Sequence, residues 1–387
     1  MAFEYSKRVQ RIPPYLFAQI EKIKAQKRAE GVDLIPLGIG DPDLPTPKFV
    51  IDALVEEARK DENHKYPSSE GEKDFREAVV RWMKGRFKVE LDPATQVTCM
   101  VGSKEGIANV ARAFVNPGDK VLCPDPAYPV YSQGATILCD GEPVYLPLLE
   151  KNGFLPDLEK AQAQAKGAKM IYLNYPNNPT GAVADAKFMQ KAAEFSEKNE
   201  LVYCYDNAYS EFTFDEYVSP SALEFSPKCI EFHSLSKTFN MTGDRIGFAV
   251  GDAALVGGLK KIKSNIDSGT PMYAQRAAIA ALQSYSGAQP PKEVRENMNE
   301  YAKRRDALVD GLRQLGFNAK KPKATFYLWV PTGGTPSTEM AAKMLDVGVV
   351  ATPGTGFGPT GEGYVRFALT QPIPRIKEAL ERMQTIF

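Results

Sequence analysis

Lys237 stands in the stretch Ser234-Leu235-Ser236-Lys237-Thr238-Phe239-Asn240-Met241-Thr242-Gly243-Asp244-Arg245, an amine set among hydroxyls and followed by a guanidinium. A lysine kept neutral condenses with a carbonyl, so these residue types point to covalent chemistry on an aldehyde or ketone. The run Cys229-Ile230-Glu231-Phe232-His233 before it alternates like a half-buried strand, and Ile246-Gly247-Phe248-Ala249-Val250-Gly251 after it reads as another. Lys237 is therefore expected on a loop held between two strands, which can present an amine in a defined place. Taken alone, the stretch also reads as a solvated surface lysine, where most lysines go.

Other groups with chemistry to offer follow strand-like runs in the same way. Asn178 lies in Pro176-Asn177-Asn178-Pro179-Thr180-Gly181, just past Tyr172-Leu173-Asn174-Tyr175. Asp206 and Tyr209 follow Val202-Tyr203-Cys204-Tyr205, and Tyr128 follows Val121-Leu122-Cys123 inside Pro124-Asp125-Pro126-Ala127-Tyr128-Pro129. Gly102-Ser103-Lys104-Glu105-Gly106 reads as a strand-to-helix turn whose N–H groups and positive helix end suit a phosphate. It is not the G-x-G-x-x-G of dinucleotide-binding folds. Ligands of open α/β sheets bind just outside the carboxyl ends of the strands. A carboxylate, a phenol, an amide, a lysine, a flat aromatic ring and a phosphate nest at adjacent strand ends fit one cofactor.

The elements that must position these groups are legible as short apolar runs at 97–101, 120–123, 142–147, 170–175, 201–205, 230–234 and 246–250, alternating with helices. That pattern predicts an α/β fold with a seven-stranded, mainly parallel sheet and helices on both faces. Upstream, a helix is expected from Pro13-Pro14 to Ala29, then a strand near Leu34 breaking into the Gly38-Ile39-Gly40-Asp41-Pro42 turn, then helices over 47–60 and 73–87 with Tyr66 on the loop between. A loop at 287–291 precedes a long charged helix over 292–315. Strand-like runs at 326–330, 349–351 and 363–369, with a helix over 338–346, then read as a smaller α+β unit. The expected division is 1–45 as N-terminal arm and part of the small domain, 46–289 as the large cofactor-binding domain, and 290–387 as the small C-terminal domain.

Composition narrows the function classes. The 387 residues are 43% hydrophobic, enough for a large core, and Lys plus Arg equals Asp plus Glu at 48 each. No global field draws the chain to nucleic acid or an acidic membrane, and no helix-turn-helix segment precedes the domain as a DNA-binding regulator would need. The five cysteines form no CxxC pair and read as buried reduced thiols; only His64 and His233 are present, so a metal site or a Ser/His relay is poorly supported. With no apolar leader segment and no run of about eighteen apolar residues, a cytoplasmic enzyme is expected.

Asn177-Asn178-Pro179-Thr180-Gly181, Asp206-Asn207-Ala208-Tyr209 and Ser234 to Arg245 together resemble the fold-type I, class I/II pyridoxal-phosphate-dependent aminotransferases, and the resemblance covers essentially the whole chain. It implies an aspartate-aminotransferase-like fold, pyridoxal 5'-phosphate as cofactor, an amino acid and a 2-oxo acid as substrates, and a homodimer with shared active sites. It implies that Lys237 holds the cofactor covalently and shuttles a proton, that Asp206 pairs with the pyridine nitrogen, and that Tyr209 and Asn178 bond its phenolic oxygen. Tyr128 would stack on the ring. Ser103, Lys104, Ser234 and Arg245 would hold the phosphate, with Tyr66 reaching it from the partner subunit. Arg366 would clamp the substrate carboxylate near the Gly38 backbone.

Within the family, Pro13-Pro14-Tyr15-Leu16-Phe17, Leu37-Gly38-Ile39-Gly40-Asp41-Pro42-Asp43, Gly102 to Ile107 and Ser234 to Gly243 are most similar to bacterial LL-diaminopimelate aminotransferases. That implies a role in lysine biosynthesis; alanine, aspartate or aromatic substrates, or a β-lyase reaction on the same fold, stay open. The distal pocket is expected from Tyr15, Ile39 and loop residues near Ser68 and Ser69. Asp244 stands where close relatives commonly carry tryptophan, and is expected to face solvent or an arginine.

Overall fold

The computed structural model describes residues 3–14 and 16–387, and of residues 16–19 the backbone alone. In chain order the strands are β1 (Ile35–Pro36), β2 (Val97–Met100), β3 (Lys120–Asp125), β4 (Glu142–Pro147), β5 (Ala168–Asn174), β6 (Val202–Asp206), β7 (Cys229–Ser234), β8 (Gly247–Gly251), β9 (Tyr327–Pro331), β10 (Val349–Val350), β11 (Thr352–Pro353) and β12 (Tyr364–Ala368). Seven of them form one sheet in the order β2-β8-β7-β6-β5-β3-β4. Only β8 runs against its neighbours. A parallel return from β7 would need a crossover that runs back along the length of the sheet, usually as a full helix. The link 235–246 holds one helical turn, Leu235–Thr238, so the chain comes back antiparallel and keeps Lys237 at the sheet's carboxyl edge.

Both faces of this sheet are covered, which is why its central strands read as unbroken apolar runs. Met170 and Tyr172 point into a core shared with Ile107 and Val110 of the helix Ser103–Phe114 and with Val256 and Leu259 of the helix Ala253–Lys263. Ile171 and Leu173, one residue out of phase, join Phe188, Met189 and Phe195 of the helix Ala186–Lys198. Val97, Phe248 and Val250 pack on Phe75, Val79, Trp82 and Met83 of the helix Lys73–Phe87.

A second core gathers around the antiparallel sheet β11-β12-β9 and the parallel pair β1-β10. Ile35 pairs with Val349, so the N-terminal segment is built into this unit. The helix Lys292–Gln314 contributes Tyr301, Leu308 and Leu312 to it. Two of its elements are not anticipated from the sequence: β11, too short to show alternation, and the helix Ile373–Met383, which buries Ile376, Ala379 and Met383. No helix among the described residues is long and apolar enough to cross a membrane.

Candidate active site

Ser103, Lys104, Tyr128, Asn178, Asp206, Tyr209, Ser234, Lys237, Arg245 and Arg366 all line one cavity of about 370 Å³ at the carboxyl edge of the large sheet. Ile39 lines it too, whereas Ser68 and Ser69 do not. Tyr66 is 90% exposed and lies outside the cavity of its own chain. Tyr15 falls outside the described residues. A larger cavity of about 510 Å³, between the helices Leu16–Ala29 and Ser337–Asp346, holds none of these groups.

Lys237 is placed by the turn that ends β7. Ser234 caps that turn by accepting from the Ser236 N–H at 3.2 Å, and Leu235, Phe239 and Met241 anchor it in the core. The Lys237 Nζ donates to the Gly40 carbonyl at 3.4 Å and lies 5.6 Å from the centre of the Phe326 ring. Burial, helped by the charges of Arg245 and Arg366 and opposed by Asp41 and Asp206, lowers its pKa from the usual lysine value to about 8. Much more of this amine is therefore neutral near physiological pH than of a surface lysine, which is what nucleophilic attack on a carbonyl requires.

Asp206 ends β6 with 5% of its surface exposed. The Tyr131 hydroxyl donates to its Oδ2 at 2.7 Å, and the Ala208 N–H reaches Oδ1 at 3.2 Å. Burial raises its carboxyl pKa, while those two donors and the charges of His233 and Lys237 oppose the rise. Beside it the Tyr209 hydroxyl donates to the Tyr327 oxygen at 3.2 Å. Asn174, at the end of β5, ties the floor together: its Nδ2 donates to the Asp206 carbonyl at 2.8 Å and its Oδ1 takes the Asn178 N–H at 2.9 Å.

Arg366, on β12, is 1% exposed. Its Nη1 donates to Asn178 Oδ1 at 2.8 Å and its Nη2 to the Gly38 carbonyl at 2.7 Å. The guanidinium carbon sits 4.1 Å from the Tyr327 ring centre and 4.5 Å from that of Phe357, so the planar fork is held between two aromatic faces. Gly38 is needed there: a Cβ would meet the Thr352 Oγ1 at 2.8 Å, and that hydroxyl donates to the Gly38 carbonyl at 2.7 Å.

The cationic end of the cavity forms where β2 turns into the helix Ser103–Phe114. Gly102 makes the turn at φ +77°, and any side chain there would run into the Arg245 guanidinium. Arg245 is itself fixed, donating to the Thr242 carbonyl at 2.8 Å and to the Val101 carbonyl at 3.3 Å. The Lys104 ammonium lies 5.9 Å from the centre of the Tyr128 ring. Two cations and a helix N-terminus at one end, a buried carboxylate at the other, a phenol and an amide between, and an amine in reach suit a flat heteroaromatic ring that carries a phosphate, a carbonyl and a ring nitrogen. The donor set thus fits pyridoxal phosphate.

Sequence reasoning missed Tyr131, Asn174, Tyr327 and Phe357. Tyr131 had a weak signal at most, its nearness in sequence to Tyr128, which precedes the π-helical segment Val130–Thr136 that carries Tyr131. Tyr327 had none, because only the pairing of β9 with β12 brings it beside Arg366. Asp244 keeps part of its surface open to solvent, one of the two settings expected for it. It is half-buried with its carboxyl pKa raised by that burial, and no arginine pairs with it among the described residues, since Arg245 is turned onto carbonyl oxygens.

Residues 32–383 match the family model for aminotransferase class I and II. The chain is 50% identical to the LL-diaminopimelate aminotransferase of Desulforudis audaxviator (strain MP104C), covering 99% of this chain and 98% of that protein. It is 49% identical to the enzyme of the same name from Moorella thermoacetica, covering 98% of each. A single mutant of Thermus thermophilus aspartate aminotransferase superposes with a TM-score of 0.93 over 100% of both chains at 27% identity. The match to the family model over nearly the whole length, together with identities near one half, makes this chain a member of the class I and II aminotransferases.

Proposed function

We propose that the protein is a pyridoxal-phosphate-dependent aminotransferase that takes the amino group of LL-diaminopimelate, with glutamate and 2-oxoglutarate as the other pair, in lysine biosynthesis. The observation that carries the reaction is the convergence of Lys237, Asp206 and Arg366 on one cavity. The substrate reading is supported by the names of the relatives near 50% identity.

Bound pyridoxal phosphate supplies a carbonyl that links to amines and a protonated ring that draws electron density from the carbon attached to the nitrogen. Lys237 would hold that carbonyl and, as a free amine, would take up and return the proton of the substrate α-carbon. Its lowered pKa suits both acts. Asp206, as a carboxylate, would pair with the ring nitrogen and keep it protonated. Tyr209 and Asn178 would donate to the phenolic oxygen, Tyr128 would stack on the ring, and Ser103, Lys104, Ser234 and Arg245 would hold the phosphate. Arg366 receives the substrate α-carboxylate through its two-pronged fork, beside the Gly38 backbone. Asn178 supports the fork it already touches.

The proposal includes a cytoplasmic homodimer in which the exposed Tyr66 and the loop at Ser68 and Ser69 complete the neighbouring site, and a division of the chain into 46–289 against 1–45 with 290–387. Tyr15 is proposed for the distal end of the substrate. A panel of donors with 2-oxoglutarate tests the function: LL-diaminopimelate is expected to give the highest kcat/KM. A higher value with alanine, aspartate or an aromatic amino acid would overturn the substrate, and glutamate formation from none of them would overturn the reaction.

A further inference from the structure

Tyr131 is 1% exposed and lines the same cavity, but no contact with cofactor or substrate is assigned to it above. Its hydroxyl nevertheless makes the shortest hydrogen bond of Asp206, to Oδ2 at 2.7 Å, which leaves the Ala208 N–H as the 3.2 Å partner of Oδ1. The ring that carries this hydroxyl has little freedom. It stacks on Tyr172 with centroids 5.2 Å apart and planes at 21°, and meets Tyr128 edge-on at 6.0 Å and 87°. Tyr172 in turn donates to the Ile107 carbonyl at 3.0 Å, on the helix whose first turn is the cationic end of the cavity. The backbone beneath Tyr131 is fixed as well: Val130–Thr136 is a π-helical segment, a form that recurs at functional sites, and the Thr136 hydroxyl donates to the Tyr131 carbonyl at 2.8 Å. One aromatic unit thus connects the carboxylate, the ring-covering Tyr128 and the helix of the phosphate cradle.

We propose that Tyr131 is a positioning residue for Asp206, its hydroxyl both orienting the carboxylate toward the ring nitrogen of the cofactor and holding it in the ionised form. The inference rests on the reading of Asp206 given under the proposed function. Its physical basis is a competition inside a dry site. Burial favours the neutral acid, and a neutral Asp206 cannot hold a protonated ring nitrogen. A hydrogen bond donated to the charged form works the other way. A phenol suits this task, because the same burial pushes its own pKa well above the tyrosine range, so it stays a donor and never competes as an anion.

The test compares Tyr131→Phe, Tyr172→Phe and Asp206→Asn with the wild-type holoenzyme, using pyridoxal phosphate labelled with ¹⁵N at the ring nitrogen. The nitrogen resonance is followed from about pH 6 to 9, and the dissociation constant of pyridoxal phosphate is measured alongside. Tyr131→Phe is expected to move the resonance toward the unprotonated position and to weaken cofactor binding by roughly tenfold to a hundredfold, the range of a lost hydrogen bond to a charged group. Tyr172→Phe disturbs the same stack without touching Asp206, and is expected to leave the resonance at its wild-type position. Tyr131→His keeps a ring donor, and is expected to keep the nitrogen protonated even if Tyr131→Phe does not fold. A wild-type resonance in Tyr131→Phe, or a lost one in Tyr131→His, would overturn the inference while Asp206→Asn still shifts it. If Asp206→Asn shifts neither the resonance nor the dissociation constant, the underlying reading of Asp206 falls, and the role of Tyr131 falls with it.

Discussion

Asn178 follows β5 of the large sheet, Arg366 lies on β12 of the three-stranded sheet, and the 2.8 Å bond from Arg366 Nη1 to Asn178 Oδ1 spans the gap between them. The same guanidinium holds the Gly38 carbonyl of the segment that follows β1. Three separate stretches of chain therefore meet at one buried cation, and a carboxylate arriving there would be read by both sheets at once.

That arrangement makes Arg366→Lys a severe change despite its conserved charge. An ammonium cannot bond Asn178, Gly38 and a carboxylate from one plane, nor fill the slot between Tyr327 and Phe357. We expect kcat/KM for the amino donor to fall by roughly a hundredfold, about 2.7 kcal/mol, with the loss mainly in KM. Steady-state kinetics with the same donor, and a separate measurement of pyridoxal phosphate affinity that should change little, check this.

Lys237 should report its environment through pH. With a folded-state pKa of about 8, its reactive neutral form grows as pH rises through that value, so attachment of pyridoxal phosphate to the apo-protein should accelerate toward a plateau above it. Stability carries the opposite face of the same shift. Below about pH 8 the lysine is charged in both states and its burial is a penalty to the fold; the penalty fades as pH climbs from there toward the ordinary lysine range, where the unfolded chain still holds the proton. Lys237→Met should therefore raise the Tm of the apo-protein at pH 7, with the gain shrinking at higher pH. A variant less stable than wild type at pH 7 would contradict this.

Gly102→Val tests the cationic end. The position needs φ +77° and has the Arg245 guanidinium where a side chain would go. A β-branched residue is strained in that backbone region by roughly 1–3 kcal/mol, and Arg245 must move. We expect a lower Tm together with pyridoxal phosphate binding weakened more than tenfold, whereas Gly118→Ala, at φ +82° with open space around it, should lower stability alone.

The degree to which this site could be read beforehand follows from where each signal resides. Lys237, Asp206, Asn178 and Tyr128 each sit just past an apolar run, and strand ends in an α/β sheet converge by topology, so order along the chain nearly sufficed. Arg366 rested on the family resemblance, and its slot is built by Tyr327 and Phe357 from other elements, a packing that no local pattern records. The reversed direction of β8 was hidden for a related reason: alternation tells which face is buried, and strand direction depends on the length and content of the link. The helix Ile373–Met383 escaped notice although Ile376, Ala379 and Met383 recur at helical spacing, because the proline at its start reads equally as a turn.

The most direct measurement is borohydride reduction of the protein loaded with pyridoxal phosphate, followed by proteolysis and identification of the labelled peptide. The account predicts a single pyridoxyl group, on Lys237. A label on any other lysine, or none, would contradict it.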